Sequence, residues 1–213
     1  MHTLHRLHYS PYARKVQRLL ELLHVPHRVV EVPYGNREAL AQLTGGYVYV
    51  PVLEMEGGEV IVESRTICER LLVDHPNTLV PTGLEGAVWA YHDYVEGTVE
   101  DVLFRLASPG VRDGWPTAWE RALYTLVKER KFGAGCIDAW GAARGALLAR
   151  ARALLAPTVR TLSNQPFVFG EQPTLADLAL YGQWAMLEAS DASLLGEFDP
   201  TVVTHFRRVA ELP

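Results

Sequence analysis

The sequence predicts an α/β domain at the N-terminus followed by an all-helical domain. Two observations predict this. Up to residue 76, strand-like and helix-like runs alternate in the order β-α-β-α-β-β-α. From residue 84 onward, apolar residues keep a helical period almost throughout. Between them PNTLVPTG (76–83) holds two prolines and a glycine and reads as an interdomain linker. The expected domains are therefore 1–76 and 84–213, joined by a linker at 77–83.

Each element has a local reason. Residues 3–9 read as a short strand. After Pro11 the period changes: Val16, Leu19, Leu20 and Leu23 fall at i, i+3, i+4 and i+7, one face of a helix that Pro26 ends. HRVVEV (27–32) is Val-rich and reads as a second strand. NREALAQL (36–43) is a short helix with Asn36 as its N-cap. VPVLEM (50–55) and EVIV (59–62) are strands flanking a Gly57-Gly58 turn. ESRTICERLLVDH (63–75) places Ile67, Leu71 and Leu72 on one side of a helix. A β-α-β unit implies a parallel pair with a right-handed crossover.

In the second half, helices are expected at 84–107, 117–131, 137–163, 174–189 and about 200–212. KFGAGC (131–136) interrupts them, and Pro157 is expected to kink or end the third. Thr174-Leu175-Ala176-Asp177 has the spacing of a capping box, with Asp177 reaching back to the backbone of Thr174.

Bulk composition excludes several functions. The 213 residues are 48% hydrophobic and 21% charged, as in a globular protein with a real core. A net charge of −5 argues against nucleic-acid binding, which needs a basic surface. No apolar run approaches the roughly 18 residues that suggest a membrane span, and the N-terminus lacks the apolar core of a signal peptide. No nucleic acid or membrane partner is expected, and a cytoplasmic location is. Cys68 and Cys136 match no metal or redox spacing and read as buried thiols. His2, His5 and His8 recur every three residues, but in a strand that spacing alternates faces, so no metal site is expected.

Three features point to chemistry at one edge of the sheet. Ser10-Pro11 stands between the first strand and first helix. Ser is a favoured N-cap and Pro a favoured first helical residue, which explains the pair structurally. Ligands also bind in that place, outside the C-terminal ends of parallel strands, where a helix N-terminus favours an anion. Val50-Pro51 puts a residue without an N–H at the start of the third strand; it reads either as a simple strand-edge proline or as one that leaves the Val50 backbone free to pair with an extended ligand. Glu63-Ser64 opens the third helix. Ser64 suits a cap or a ligand carboxylate, and Glu63 suits an ammonium group.

Together SPYARKV, VPVLEMEGGEVIVES and TLADLALYG resemble the glutathione transferase family over nearly the whole chain. The resemblance implies a thioredoxin-like N-terminal domain and a C-terminal helical bundle. It implies a cis-proline at Pro51, with Val50 contacting the cysteinyl part of glutathione and Glu63 and Ser64 holding its γ-glutamyl end. Many thioredoxin-fold proteins place Cys-Pro-Tyr-Cys where this chain has Ser10-Pro11-Tyr12-Ala13. Without either sulfur, dithiol exchange is disfavoured here. The chain resembles serine-type transferases instead, in which the hydroxyl donates to the sulfur of a bound thiol. Lowering a thiol pKa of about 8.5 by two units takes roughly 2.7 kcal/mol. A charge-assisted hydrogen bond of about 1.5–3 kcal/mol plus the helix field supplies that.

Tyr9 and Tyr12 are rival donors, and Ser10 is the expected catalytic residue. Tyr12, Tyr49, Val50, Pro51, Glu63 and Ser64 are the expected substrate-binding residues. The family often has Lys before Val-Pro, where it binds the glycine carboxylate. Tyr49 stands there and carries no positive charge; Arg37 and Gln42 are substitutes. Arg14 and Lys15, one turn into the first helix, read as solvated charges or as groups that steer an anionic thiol. Tyr91, Tyr94, Phe104 and Trp115 are the aromatic candidates for lining an electrophile pocket.

The resemblance implies a homodimeric, detoxifying enzyme that takes glutathione as co-substrate and delivers its thiolate to an apolar electrophile. The alternatives on the same fold are a non-catalytic binding or regulatory protein and a thiol-dependent isomerase.

Overall fold

The computed structural model describes residues 1–213. The N-terminal part runs β1 (His2–Arg6), α1 (Pro11–Leu22), β2 (His27–Glu31), α2 (Glu38–Thr44), β3 (Val52–Glu54), β4 (Val60–Val62) and α3 (Ser64–Asp74). Its sheet has the order β2-β1-β3-β4, with β1 and β2 parallel and the other pairs antiparallel. This is the thioredoxin-like arrangement. The second part is helical: α4 (Glu85–Tyr94), a π-helical turn (Val95–Val99), α5 (Glu100–Gly114), α6 (Ala118–Phe132), α7 (Cys136–Ala142), α8 (Arg144–Leu162), α9 (Leu175–Ser190), a 3₁₀ turn (Ala192–Glu197) and α10 (Pro200–Glu211). No helix is long and apolar enough to cross a membrane.

One row of the sheet aligns the ends of its strands. Val30, His5, Val52 and Val62 lie side by side across the four strands. The chain leaves that row at one edge. Ser10 follows β1 by four residues, Pro51 precedes β3 and Glu63 follows β4. Residues far apart in sequence therefore emerge together because the register aligns their strands.

Burial is continuous between the two parts. Leu4, Leu19 and Leu53 belong to the same cluster of buried apolar side chains as Val88, Leu103 and Trp184. The central helix, α9, is buried from Leu175 to Leu187, as expected of a helix apolar all round. It crosses α1 at Gly182, where a Cβ would come within 2.4 Å of the Pro11 carbonyl oxygen. Arg18, on α1, is buried and donates from Nε to the Val209 carbonyl at 2.8 Å and from Nη2 to the Leu212 carbonyl. It thereby holds otherwise unpaired carbonyls near the end of α10.

The start of α9 has the expected box and one partner more. Asp177 Oδ2 accepts from the Thr174 N–H and hydroxyl, each at 2.8 Å. Its Oδ1 accepts from the Val168 N–H and from His205 Nε2, also at 2.8 Å each. Asp177 and His205 are wholly buried. The box thus ties α9 to the preceding loop and to α10.

Several helix boundaries differ from expectation. The first long helix does not stop at 107 but continues past Pro109 to Gly114, after a π-helical interruption. Pro157 lies inside α8, which runs on to Leu162. Pro157 and Ala153, whose carbonyl loses its partner, are both exposed, so water replaces the missing bond. The expected helix at 137–163 is instead divided at Ala143. Asn36 is not the N-cap of α2; its Oδ1 accepts from the Glu38 N–H at 3.0 Å, and Arg37 occupies the cap position.

Candidate functional site

Ser10 is the N-cap of α1 and is 6% exposed. Its Oγ accepts the Ala13 N–H at 3.3 Å, while no protein group accepts its hydroxyl hydrogen. Capping and donation to a ligand are therefore compatible in one hydroxyl, because an alcohol accepts and donates at once.

The Val50–Pro51 peptide is cis. Pro51 is buried, Val50 half-buried and Tyr49 69% exposed, with its ring edge-on to Tyr47 at 5.5 Å. Glu63 has φ +69°, a backbone state costing on the order of 1–3 kcal/mol outside glycine. It is exposed and accepts the Tyr47 hydroxyl at 2.8 Å. Glu63 takes the cap position of α3, and Ser64 is the first helical residue rather than the cap. Ser64 Oγ instead accepts from Lys15 Nζ at 3.4 Å.

The environment of Lys15 corrects the reading of Lys15 as a solvated charge. Its side chain is wholly buried where α1 meets α3, α4 and the π-helical turn. Nζ lies 2.7 Å from Glu96 Oε1 and 2.8 Å from His92 Nε2. His92 donates from Nδ1 to Asp93 at 2.9 Å. Burial, with the Lys15 charge, holds the imidazole below its usual pKa, in keeping with a neutral ring that accepts at Nε2. Lys15 precedes Leu19 by four residues and so shares its face of α1. A charge on the apolar stripe was the available signal.

The other candidates separate into different surroundings. Tyr9 is buried edge-on to Trp115 at 5.8 Å and Tyr124 at 6.3 Å, and burial raises its phenol well above the ordinary value. Tyr12 lies beside Glu100, and burial together with that carboxylate raises its phenol too. Burial, followed by the charge of Asp101, pushes Glu100 up to about 7. Nothing in the sequence pattern singled Glu100 out.

Arg37 is half-buried over the Tyr34 ring at 5.4 Å, and its Nη1 is buried without a partner. Gln42 is exposed and bonds only to Glu38, at 3.3 Å. Arg14, half-buried, reaches the Tyr181 hydroxyl at 3.5 Å.

The four aromatic candidates do not form one pocket. Tyr91 and Tyr94 turn toward α8, bonding Thr158 at 2.7 Å and the Leu154 carbonyl at 2.8 Å. Phe104 packs with Phe132 and Trp140, and Trp115 packs with Tyr9 and Tyr34. Only Trp115 adjoins the segment that carries Ser10.

A thioredoxin-like sheet with a cis-proline at the start of β3, backed by a helical domain, defines the architecture. Residues 4–79 match the glutathione S-transferase N-terminal domain, and residues 141–213 match the glutathione S-transferase C-terminal domain. The chain belongs to the glutathione S-transferase family. No curated protein matches it by sequence.

Solved structures of similar fold include a glutathione S-transferase of Ceriporiopsis subvermispora in complex with glutathione. It is 15% identical, with a TM-score of 0.81, over 100% of this chain and 98% of that one. A glutathione S-transferase from Pseudomonas fluorescens is 20% identical, with a TM-score of 0.70, over 100% and 96%. Glutaredoxin 2 from Salmonella typhimurium, in complex with glutathione, is 17% identical, with a TM-score of 0.73, over 99% and 94%.

Proposed function

We propose that this protein binds glutathione along the sheet edge and delivers its thiolate to an apolar electrophile by addition or substitution. The observation that carries this reading is the shared row His5–Val52–Val62, from which Ser10, the cis Val50–Pro51 peptide and Glu63-Ser64 all emerge. Val50 pairs its backbone with the cysteinyl residue of the ligand. Ser64 and the N-terminus of α3 take the γ-glutamyl carboxylate, and Glu63 takes its ammonium group. The Ser10 hydroxyl, already an acceptor from Ala13, donates to the sulfur and favours its ionised form. Tyr12, the second residue of α1 beside Glu100, completes the substrate-binding set. Arg37, with an unpartnered Nη1, supplies the positive charge that Tyr49 lacks for the glycine carboxylate.

The domains work as 1–76 and 84–213, and the enzyme functions as a cytoplasmic homodimer in detoxification. The low exposure of Ser10 favours a second reading, a binding protein of the same fold that does not ionise the thiol.

Calorimetry and a conjugation assay with a chlorodinitrobenzene substrate separate the two. Binding with turnover is expected. Binding without turnover gives the second reading, and no binding at millimolar glutathione contradicts both.

A further inference from the structure

Lys15 is a charge wholly inside the protein, and such a group persists only when each of its hydrogens has a partner. Its three hydrogens have three acceptors: Glu96 Oε1 at 2.7 Å, His92 Nε2 at 2.8 Å and Ser64 Oγ at 3.4 Å. The acceptors come from three elements: the π-helical turn, α4 and α3. Such turns often occur at functional sites, and their extra residue rotates the succeeding helix by about 100°. Here the turn holds Glu96 against Lys15. On the outer side Arg65 closes the network, donating to Asp93 at 2.7 Å and lying over the Trp89 ring at 4.4 Å.

One consequence falls on Ser64. A hydroxyl that accepts from an ammonium group turns its lone pair inward and its hydrogen outward. No protein group accepts the Ser64 hydrogen. We propose that Lys15 is a positioning residue that orients Ser64 as a donor, so that this end of the site selects a ligand carrying a carboxylate there and discriminates against one that lacks it. The inference rests on the glutathione-binding reading and deepens it. Lys15 touches no ligand in this account. It acts through Ser64, while Glu96 and His92 hold it in place.

The test compares glutathione with the tripeptide lacking only the α-carboxylate of the γ-glutamyl residue, 4-aminobutanoyl-cysteinyl-glycine. Both are titrated by calorimetry into the full-length protein. The native protein should bind glutathione about tenfold or more tighter than the analogue. Lys15→Met and Ser64→Ala should each weaken glutathione by about that factor, leave the analogue unchanged, and fail to add when combined. Lys15→Gln keeps an uncharged donor within reach of Glu96 and serves where the Met variant does not fold; the same selective loss is expected.

A merely structural Lys15 would weaken both ligands alike, and that result overturns the proposal. Equal native affinity for the two ligands overturns it as well. Failure of the native protein to bind either ligand removes the glutathione reading itself.

Discussion

Gly182 of α9 lies against the Pro11 carbonyl, with room for a hydrogen and not for a methyl. A Cβ there would meet the Pro11 oxygen at 2.4 Å and the Lys15 Cβ at 3.4 Å. The atom that must yield is backbone in the first turn of α1, one residue after Ser10. The packing of two helices therefore sets where the candidate catalytic hydroxyl stands. Gly182→Ala should cost about 1–3 kcal/mol through overpacking and weaken glutathione binding too. Chemical denaturation and calorimetry read the two effects. Lost stability with unchanged affinity would show that Ser10 moves independently of α9.

Asp177 satisfies four donors with two oxygens in a dry interior. Asp177→Ala would strand the Val168 and Thr174 N–H groups, the Thr174 hydroxyl and His205 Nε2. The expected loss is about 3–5 kcal/mol, in the range for a broken buried charged network. Asp177→Asn should recover only part of it, because the amide turns one acceptor into a donor facing donors. Urea midpoints of the three proteins provide the measurement. A loss under about 1 kcal/mol for the alanine variant would contradict the clamp.

Glu100 makes stability depend on pH. Its carboxyl rises from the ordinary 4.5 to about 7 in the folded protein, first through burial and then through Asp101. Between those values the folded state binds more protons than the unfolded state, so this group's contribution to stability falls as pH rises. Glu100→Gln should remove that slope. Relative to the native protein, the variant should gain on the order of 1–2 kcal/mol between pH 5 and pH 7.5. Parallel denaturation midpoints at the two pH values would contradict the shift. Lys128, which burial lowers to about 8, gives the opposite slope above that pH and stays outside the chosen window.

The sequence was most legible where punctuation and period agree. Ser10-Pro11 announces α1 because the cap and the missing N–H are local properties. Val50-Pro51 and Gly57-Gly58 bracket β3 and its turn for the same reason. The shared row was not legible. It depends on register, which side-chain alternation alone does not assign between strands as far apart in the chain as β1 and β3.

Pro157 does not end its helix: α8 continues through it to Leu162, and the bond it forgoes lies on an exposed face. Lys15 misled because a long cationic side chain on an otherwise apolar face usually extends to water. Its burial becomes evident only once His92, Glu96 and Ser64 arrive from three other elements. The Thr174–Asp177 spacing carries only a local cap, whereas the partnership of Asp177 with His205 is tertiary.

The most direct test of the account is the ionisation of the thiol in the binary complex. Thiolate absorbance of bound glutathione is followed against pH in the native protein and in Ser10→Ala. A native midpoint about two units below the free-thiol value of about 8.5 is expected, and the alanine variant should return it upward by about 1–2 units. The same midpoint in both proteins would contradict a role for the Ser10 hydroxyl in stabilising the thiolate.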